Sequence, residues 1–260
     1  MQELAPGISY LPSQGDVKGT CVLLHSSQSS NAQWKMLQQT LSSDYNVVGI
    51  DLLGYGRAPE VESSPHFRLQ QEIARIEKAL TPTLGEQSLI LIGHSYGGAV
   101  ALKMAQQKHF NIERVVVYEP VSFHVLEEDS PGMQEIRQVS DAMHGKDQIE
   151  CTRTFIDYWN RPGYFDALPE RVQQGMVAQA AKVALDFDAL LNDELTLKDY
   201  QQIEAPVLIL QGEYTRRSAR AVVKALSTAL TSVTVKPVQA GHMGPLTHPA
   251  EVNPLILDFI

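Results

Sequence analysis

Leu89-Ile90-Leu91-Ile92-Gly93-His94-Ser95-Tyr96-Gly97-Gly98-Ala99-Val100-Ala101-Leu102 is the stretch on which the reading of this chain turns. Its first four residues form a continuous aliphatic run, the pattern of a strand covered on both faces. From Gly97 onward, small and aliphatic residues read as a helix that packs closely on that strand. Between the two lies Gly93-His94-Ser95-Tyr96-Gly97, a match to Gly-x-Ser-x-Gly. The pentapeptide alone is a weak signal, but strand before and helix after make it a nucleophile elbow. Such a turn holds its serine in a strained conformation, and the helix that follows points backbone N–H groups at the reacting centre.

Working outward, the runs Thr20 to Leu24, Val47 to Asp51, Val115 to Tyr118 and Val207 to Leu210 are also nearly continuous in Val, Ile and Leu. Val233 to Val238 is a further strand candidate. Helical patterns fall at about 33–42, 67–80, 97–108, 217–230 and 250–259. Alternation of this kind predicts βαβ units and an α/β fold with a mostly parallel sheet. From Val121 to about Glu204 the rhythm breaks into helical patterns punctuated by Pro131, Pro162 and Pro169. The expectation is a core of residues 1–120 and 205–260, with 121–204 inserted as a helical cap over the sheet's carboxyl edge.

A serine hydroxyl needs an adjacent base to act as a nucleophile at neutral pH. Of eight histidines, His242 in Ala240-Gly241-His242-Met243 stands in a loop after the last predicted strand. That placement suits the chain order Ser, acid, His. His248 precedes the final helix, and the side chain of His94 leaves the turn in a different direction from Ser95.

The bulk properties narrow the classes. With 260 residues, 43% hydrophobic and 20% charged, the chain is long enough for one large α/β domain. A net charge of -9, with no clustered Lys or Arg, argues against nucleic acid as partner. No apolar run approaches a membrane span, and Met1 to Pro6 lacks a basic n-region and an apolar h-region. Cys21 and Cys151 form neither a disulfide framework nor a metal-like cluster. A cytoplasmic protein with reduced thiols, a small-molecule substrate, no metal and no cofactor is expected. Oligomeric state is not readable from these features.

Several segments together resemble the α/β-hydrolase superfamily across essentially the whole chain. Leu23-Leu24-His25-Ser26-Ser27 resembles the His-Gly oxyanion segment after the third strand, with Ser26 where glycine is usual. Asp51-Leu52-Leu53-Gly54-Tyr55-Gly56 resembles the Asp-x-x-Gly-x-Gly turn. Gly241-His242-Met243-Gly244-Pro245-Leu246 resembles the terminal histidine loop. The resemblance implies an oxyanion hole from the backbone N–H groups of Tyr96 and Ser27, with Ser26 as the alternative to Ser27.

The acid departs from the commonest pattern. Thr215 stands where an Asp is usual after Leu210-Gln211-Gly212, and a hydroxyl cannot stabilise an imidazolium. Some members, including certain haloalkane dehalogenases, carry the acid one strand earlier. Here that strand ends Val117-Tyr118-Glu119-Pro120, so Glu119 is the expected acid, with Pro120 helping to aim it. Glu213 and Asp51 are the alternatives.

The implied activity is hydrolysis of a small ester, thioester or lactone by a serine hydrolase through an acyl-enzyme. A C–C hydrolase or perhydrolase on the same residues, or a slow-turnover ligand receptor, are the competing readings. His25, Phe123 and Trp159 are the expected pocket residues, among an aromatic set that also includes Phe155, Tyr158, Tyr164, Phe165 and Phe187.

Overall fold

The computed structural model describes residues 2–61 and 67–260. In chain order the elements are β1 (Gln2–Ala5), β2 (Ile8–Leu11), β3 (Thr20–Leu24), α1 (Lys35–Leu41), β4 (Asn46–Ile50), α2 (Leu69–Leu84), β5 (Ser88–His94), α3 (Tyr96–Gln107) and β6 (Asn111–Tyr118). Then come α4 (Pro131–Met143), α5 (Gln148–Trp159), α6 (Glu170–Ala178), α7 (Ala180–Leu191) and α8 (Leu197–Tyr200). The chain closes with β7 (Val207–Gly212), α9 (Arg217–Ala229), β8 (Val233–Val238), α10 (Gly244–Thr247) and α11 (Pro249–Leu257).

The eight strands form one sheet in the order β1-β2-β4-β3-β5-β6-β7-β8. The pairs from β4 to β8 are parallel, while β1–β2 and β2–β4 are antiparallel. This is the expected α/β class. The five aliphatic runs became strands because helices cover both faces, so β3 and β4 are buried along their whole length. The further candidate Val233–Val238 became the largely exposed edge strand β8.

The β1–β2 hairpin was not anticipated. Its strands are four residues each and partly exposed, so they carry no long aliphatic run. The local signal was Pro6-Gly7 between them, a turn dipeptide. Gly7 has φ 76°, and a Cβ there would press on the backbone of Ala58.

Between β6 and β7, residues 131–200 hold five helices and no strand. These helices do not sit apart from the rest as a unit. α4 and α8 both pack on α9, and α8 also touches α3. α6 is the least embedded, with no fully buried residue. No helix among the described residues is long and apolar enough to cross a membrane. Cys21 is buried and Cys151 is half-buried; both are free thiols.

The parallel strands deliver their carboxyl ends to one edge. There β3 ends before His25, β4 before Asp51, β5 at the turn of Ser95, β6 before Glu119, and β8 shortly before His242. In a parallel sheet that edge is where ligand-binding loops gather.

Candidate active site

Ser95 is held at φ 53°, ψ −116°, between β5 and α3. A non-glycine residue at positive φ is strained by about 1–3 kcal/mol and persists only when its surroundings impose it. Here the Ser95 N–H donates to Tyr118 O at 3.0 Å, and the Gly97 N–H donates to His25 O at 3.1 Å. A Cβ on Gly93 would collide with the backbone of Gly97 and Gly98, and one on Gly97 with Leu24 and His25. Both glycines are therefore required by the tightness of the turn.

His242 Nε2 lies 2.9 Å from Ser95 Oγ. On its other side, Nδ1 lies 2.7 Å from Glu119 Oε2. All three residues are buried. The Glu119 carboxylate accepts two more bonds, from the Gly212 N–H at 2.7 Å and from the Thr215 hydroxyl at 2.6 Å. Thr215, the residue that stands in place of the usual Asp, thus supports the Glu119 carboxylate from the neighbouring loop. Glu119 has φ 42°, so Pro120 does not hold it in the extended form that residues before proline favour. The Glu119 N–H instead continues the ladder to Leu210 O at 3.0 Å, and the left-handed turn throws the side chain toward His242.

Neither alternative acid bonds His242, whose Nδ1 pairs with Glu119. Asp51 accepts from the Asn31 N–H at 2.7 Å and the Arg57 N–H at 2.9 Å, which closes its own turn. Glu213 is exposed.

As the first residue of α3, Tyr96 has a backbone N–H with no partner inside the helix. The Ser26 N–H is taken by Gln33 Oε1 at 3.2 Å. Among the described residues nothing accepts from the Ser27 N–H, so Ser27 and not Ser26 has a free donor.

A cavity of about 140 Å³ opens on Ser95 and His242. One wall is the polar loop Ser26 to Ser29; the other includes Phe155, Ile156 and Trp159 of α5. Two expected pocket residues are not there. His25 is fully buried, with Nδ1 on Ser26 O at 2.7 Å and Nε2 accepting the Leu52 N–H at 2.9 Å. Burial lowers its pKa to about 4, so it is a neutral brace between two loops. Phe123 is also buried and packs on Phe187, whose ring centroid is 6.2 Å away. Both rings fill gaps in the core instead.

Trp159 does line the cavity. Its indole stacks on the His242 imidazole, with centroids 3.7 Å apart and planes 25° apart. Arg216 fixes this end of α5. Its guanidinium donates to the carbonyl oxygens of Tyr158, Asp157 and Asn160 at the helix C-terminus, where a cation is favoured. An aromatic face in this position stabilises an imidazolium by about 1–2 kcal/mol. Trp159→Ala is therefore expected to lower kcat by roughly tenfold, whereas Trp159→Phe keeps most of the rate. Steady-state kinetics on both variants checks this, and equal rates for wild type and alanine variant would remove any role for the stack.

Two supporting residues carried no sequence signal of their roles. The His94 Nε2–H donates to His242 O at 2.8 Å, and burial holds the His94 pKa well below the imidazole range. The Tyr118 hydroxyl donates to Gly241 O at 2.8 Å. Together they hold the histidine loop from β5 and β6.

With this geometry in view, comparisons with known proteins place the chain in a class. The pattern of the alpha/beta hydrolase family matches residues 21–255, and the chain belongs to that family. The uncharacterized hydrolase YugF of Bacillus subtilis is 22% identical over 274 residues, covering 97% of this chain and 94% of that protein. A probable lysophospholipase of Arabidopsis thaliana, BODYGUARD 2, is 27% identical over 124 residues, which span 46% of this chain and 26% of its own length. Among solved structures, MGS-M2, an alpha/beta hydrolase from a Medee basin deep-sea metagenome library, superposes with a TM-score of 0.77. It is 18% identical, with coverage of 97% of this chain and 93% of that one. That likeness is one of fold.

Proposed function

We propose that this protein is a serine hydrolase that cleaves a small, uncharged ester, thioester or lactone through an acyl-enzyme on Ser95. The observation that carries the reading is the hydrogen-bonded chain from Ser95 through His242 to Glu119, with the cavity opening on the serine. Residues 121–204 supply the apolar wall of that cavity and act as its cap.

In the first half-reaction, His242 Nε2 takes the Ser95 proton as Oγ attacks the carbonyl carbon. Glu119 accepts the Nδ1–H and stabilises the imidazolium that results. The oxyanion rests on the N–H groups of Tyr96 and Ser27, aimed at it by α3 and by the loop after β3. When the tetrahedral intermediate collapses, the bond to the leaving group breaks and His242 protonates that group. Water then enters, gives a proton to His242, and attacks the acyl carbon. The second tetrahedral intermediate then breaks its bond to Ser95 Oγ as His242 returns the proton to that oxygen, which releases the carboxylic acid and frees Ser95. These steps use side chains, two backbone N–H groups and water.

Substrate charge follows from the lining. Apart from His242 and the phenol of Tyr164, no ionisable side chain borders the cavity among the described residues, and none there is a Lys or Arg. A substrate carboxylate would be stripped of water with no cation to receive it, a cost of several kcal/mol. Size follows from the volume. A space of about 140 Å³ is close to the ~150 Å³ of an engineered apolar cavity that takes up benzene, so acyl chains of about four to six carbons fit.

The test is a panel of p-nitrophenyl esters. The butyrate is expected to exceed the hydrogen succinate, which adds one carboxylate, by at least about a hundredfold in kcat/KM. Rates should fall for acyl chains beyond about eight carbons. Equal rates on the charged and neutral esters would overturn the neutral-substrate reading. Stoichiometric fluorophosphonate labelling of Ser95 without turnover of any ester would favour a receptor or a different substrate.

A further inference from the structure

Ser27 and Tyr96, whose backbone N–H groups form the proposed oxyanion hole, are tied by their side chains to one buried charge cluster. The cluster consists of Glu72 from α2 with Lys182 and Asp186 from α7, at 0%, 6% and 1% relative exposure. Lys182 and Asp186 are four residues apart, on one face of α7, and form an ion pair there. The same ammonium lies 3.4 Å from Glu72 Oε1. It also faces the rings of Tyr55, Phe67 and Tyr96, with centroids 4.7 to 4.8 Å away.

Every carboxylate oxygen of the cluster is engaged. Asp186 Oδ1 pairs with Lys182. Asp186 Oδ2 accepts the Ser27 hydroxyl at 2.7 Å and the Tyr55 hydroxyl at 2.6 Å. Glu72 Oε1 accepts the Tyr96 hydroxyl at 3.1 Å, and Oε2 accepts the Leu53 N–H at 3.0 Å. Burial holds both phenols well above their usual pKa, so they stay protonated and donate.

A buried arrangement of one cation and two carboxylates is poor value as stabilisation, because desolvation offsets most of the attraction. Its bonds do impose geometry. They run from an inserted helix to both sides of the oxyanion hole. Two further ion pairs tie α7 and the residues just after it to neighbouring elements: Arg68–Asp188 at 2.6 Å at the surface and Lys103–Asp193 at 2.6 Å, nearly buried.

The geometry points to Asp186, Lys182 and Glu72 as positioning residues for the oxyanion hole, with α7 holding the Ser27 and Tyr96 donors in convergence. This rests on the serine-hydrolase reading. In that reading the serine hydroxyl at position 27 has a task apart from its backbone N–H. It anchors the loop that carries the second donor, in a segment where Ser26 replaces the usual glycine. The insertion is then part of the catalytic frame as well as a wall of the cavity.

Ser27→Ala isolates the tether, because the backbone N–H remains. With a neutral p-nitrophenyl ester, this variant is expected to lose roughly tenfold to a hundredfold in kcat, while KM stays within about twofold. Its rate of phosphonylation by a fluorophosphonate should fall by a similar factor. Ser27→Thr restores the hydroxyl and should recover most of the rate. Asp186→Asn puts an amide against two hydroxyl donors or against Lys182, so it should also slow turnover. The double variant Ser27→Ala/Asp186→Asn should be no slower than Asp186→Asn alone, since both remove one interaction.

Wild-type kcat in Ser27→Ala overturns the inference, as does a double variant whose losses multiply. A loss in Asp186→Asn alone, with Ser27→Ala unaffected, would mean that the cluster only holds the fold together. If wild type labels with the probe and Ser27→Ala labels equally fast, the tether fails and the hydrolase reading stands. If wild type does not label at all, the hydrolase reading fails and takes the tether with it.

Discussion

Ser95→Ala is expected to lower kcat on a neutral ester by about 10⁶-fold and to abolish fluorophosphonate labelling. The size follows from how the three residues cooperate. Without Oγ, His242 has no proton to take and Glu119 no imidazolium to stabilise, so one loss costs about as much as losing all three. Residual turnover of roughly 10³ over water would come from the Tyr96 and Ser27 donors acting on a water attack. The backbone supplies an independent check. Ser95 sits at φ 53°, where an alanine is strained and a glycine is not. Ser95→Gly should therefore melt higher than Ser95→Ala, by about 1 kcal/mol in stability, although both are inactive. Calorimetry of the two variants measures this directly. Substantial turnover by either variant would mean that the nucleophile lies elsewhere.

Glu119→Gln is expected to cost about 10⁴-fold in kcat with the fold intact. The native carboxylate accepts from three donors: Gly212 N–H, Thr215 Oγ1 and His242 Nδ1. An amide offers one oxygen for those three and sets its own N–H groups against the rest. Where the NH₂ faces His242, the imidazole must turn Nδ1 into an acceptor and place its proton on Nε2. That tautomer points N–H at Ser95 and cannot act as a base. Thr215 offers a rescue, because its hydroxyl is 2.6 Å from Glu119 Oε2. A carboxylate at 215 stands close to the lost one, in the position where an Asp is usual. Glu119→Gln/Thr215→Asp should regain at least about tenfold over the single variant. Full activity of Glu119→Gln would send the search back to Asp51 and Glu213, although the structure shows the first bonded to its own turn and the second exposed.

How much of this was readable in advance differs from residue to residue. Five of the six parallel strands were legible because burial on two faces leaves a nearly continuous aliphatic run. The β1–β2 hairpin was not, since two four-residue edge strands leave only a Pro-Gly turn as a trace. Glu119 was legible only through the resemblance to the α/β-hydrolase superfamily, some members of which carry the acid one strand earlier, and Glu213 and Asp51 stayed open beside it. His25 and Phe123 were placed wrongly. Proximity in sequence to a site says which loop a residue belongs to, but not which way its side chain turns. The Lys182–Asp186 spacing in Ala180-Ala181-Lys182-Val183-Ala184-Leu185-Asp186-Phe187 was a faint clue, two charges on one face of an apolar helix. Its partner Glu72 lies 110 residues away, beyond the reach of any local pattern.

The elbow at Ser95 shows the division most clearly. Sequence by itself determined that β5 runs into α3 through a tight turn at Ser95, because strand burial, glycine spacing and helix start are all local properties. Tertiary structure alone decided what meets that serine. His242, Glu119, Trp159 and Ser27 arrive from loops and helices far along the chain. The distances between them are set by the packing of the sheet and of α5 and α7, and the chain's order does not encode those distances.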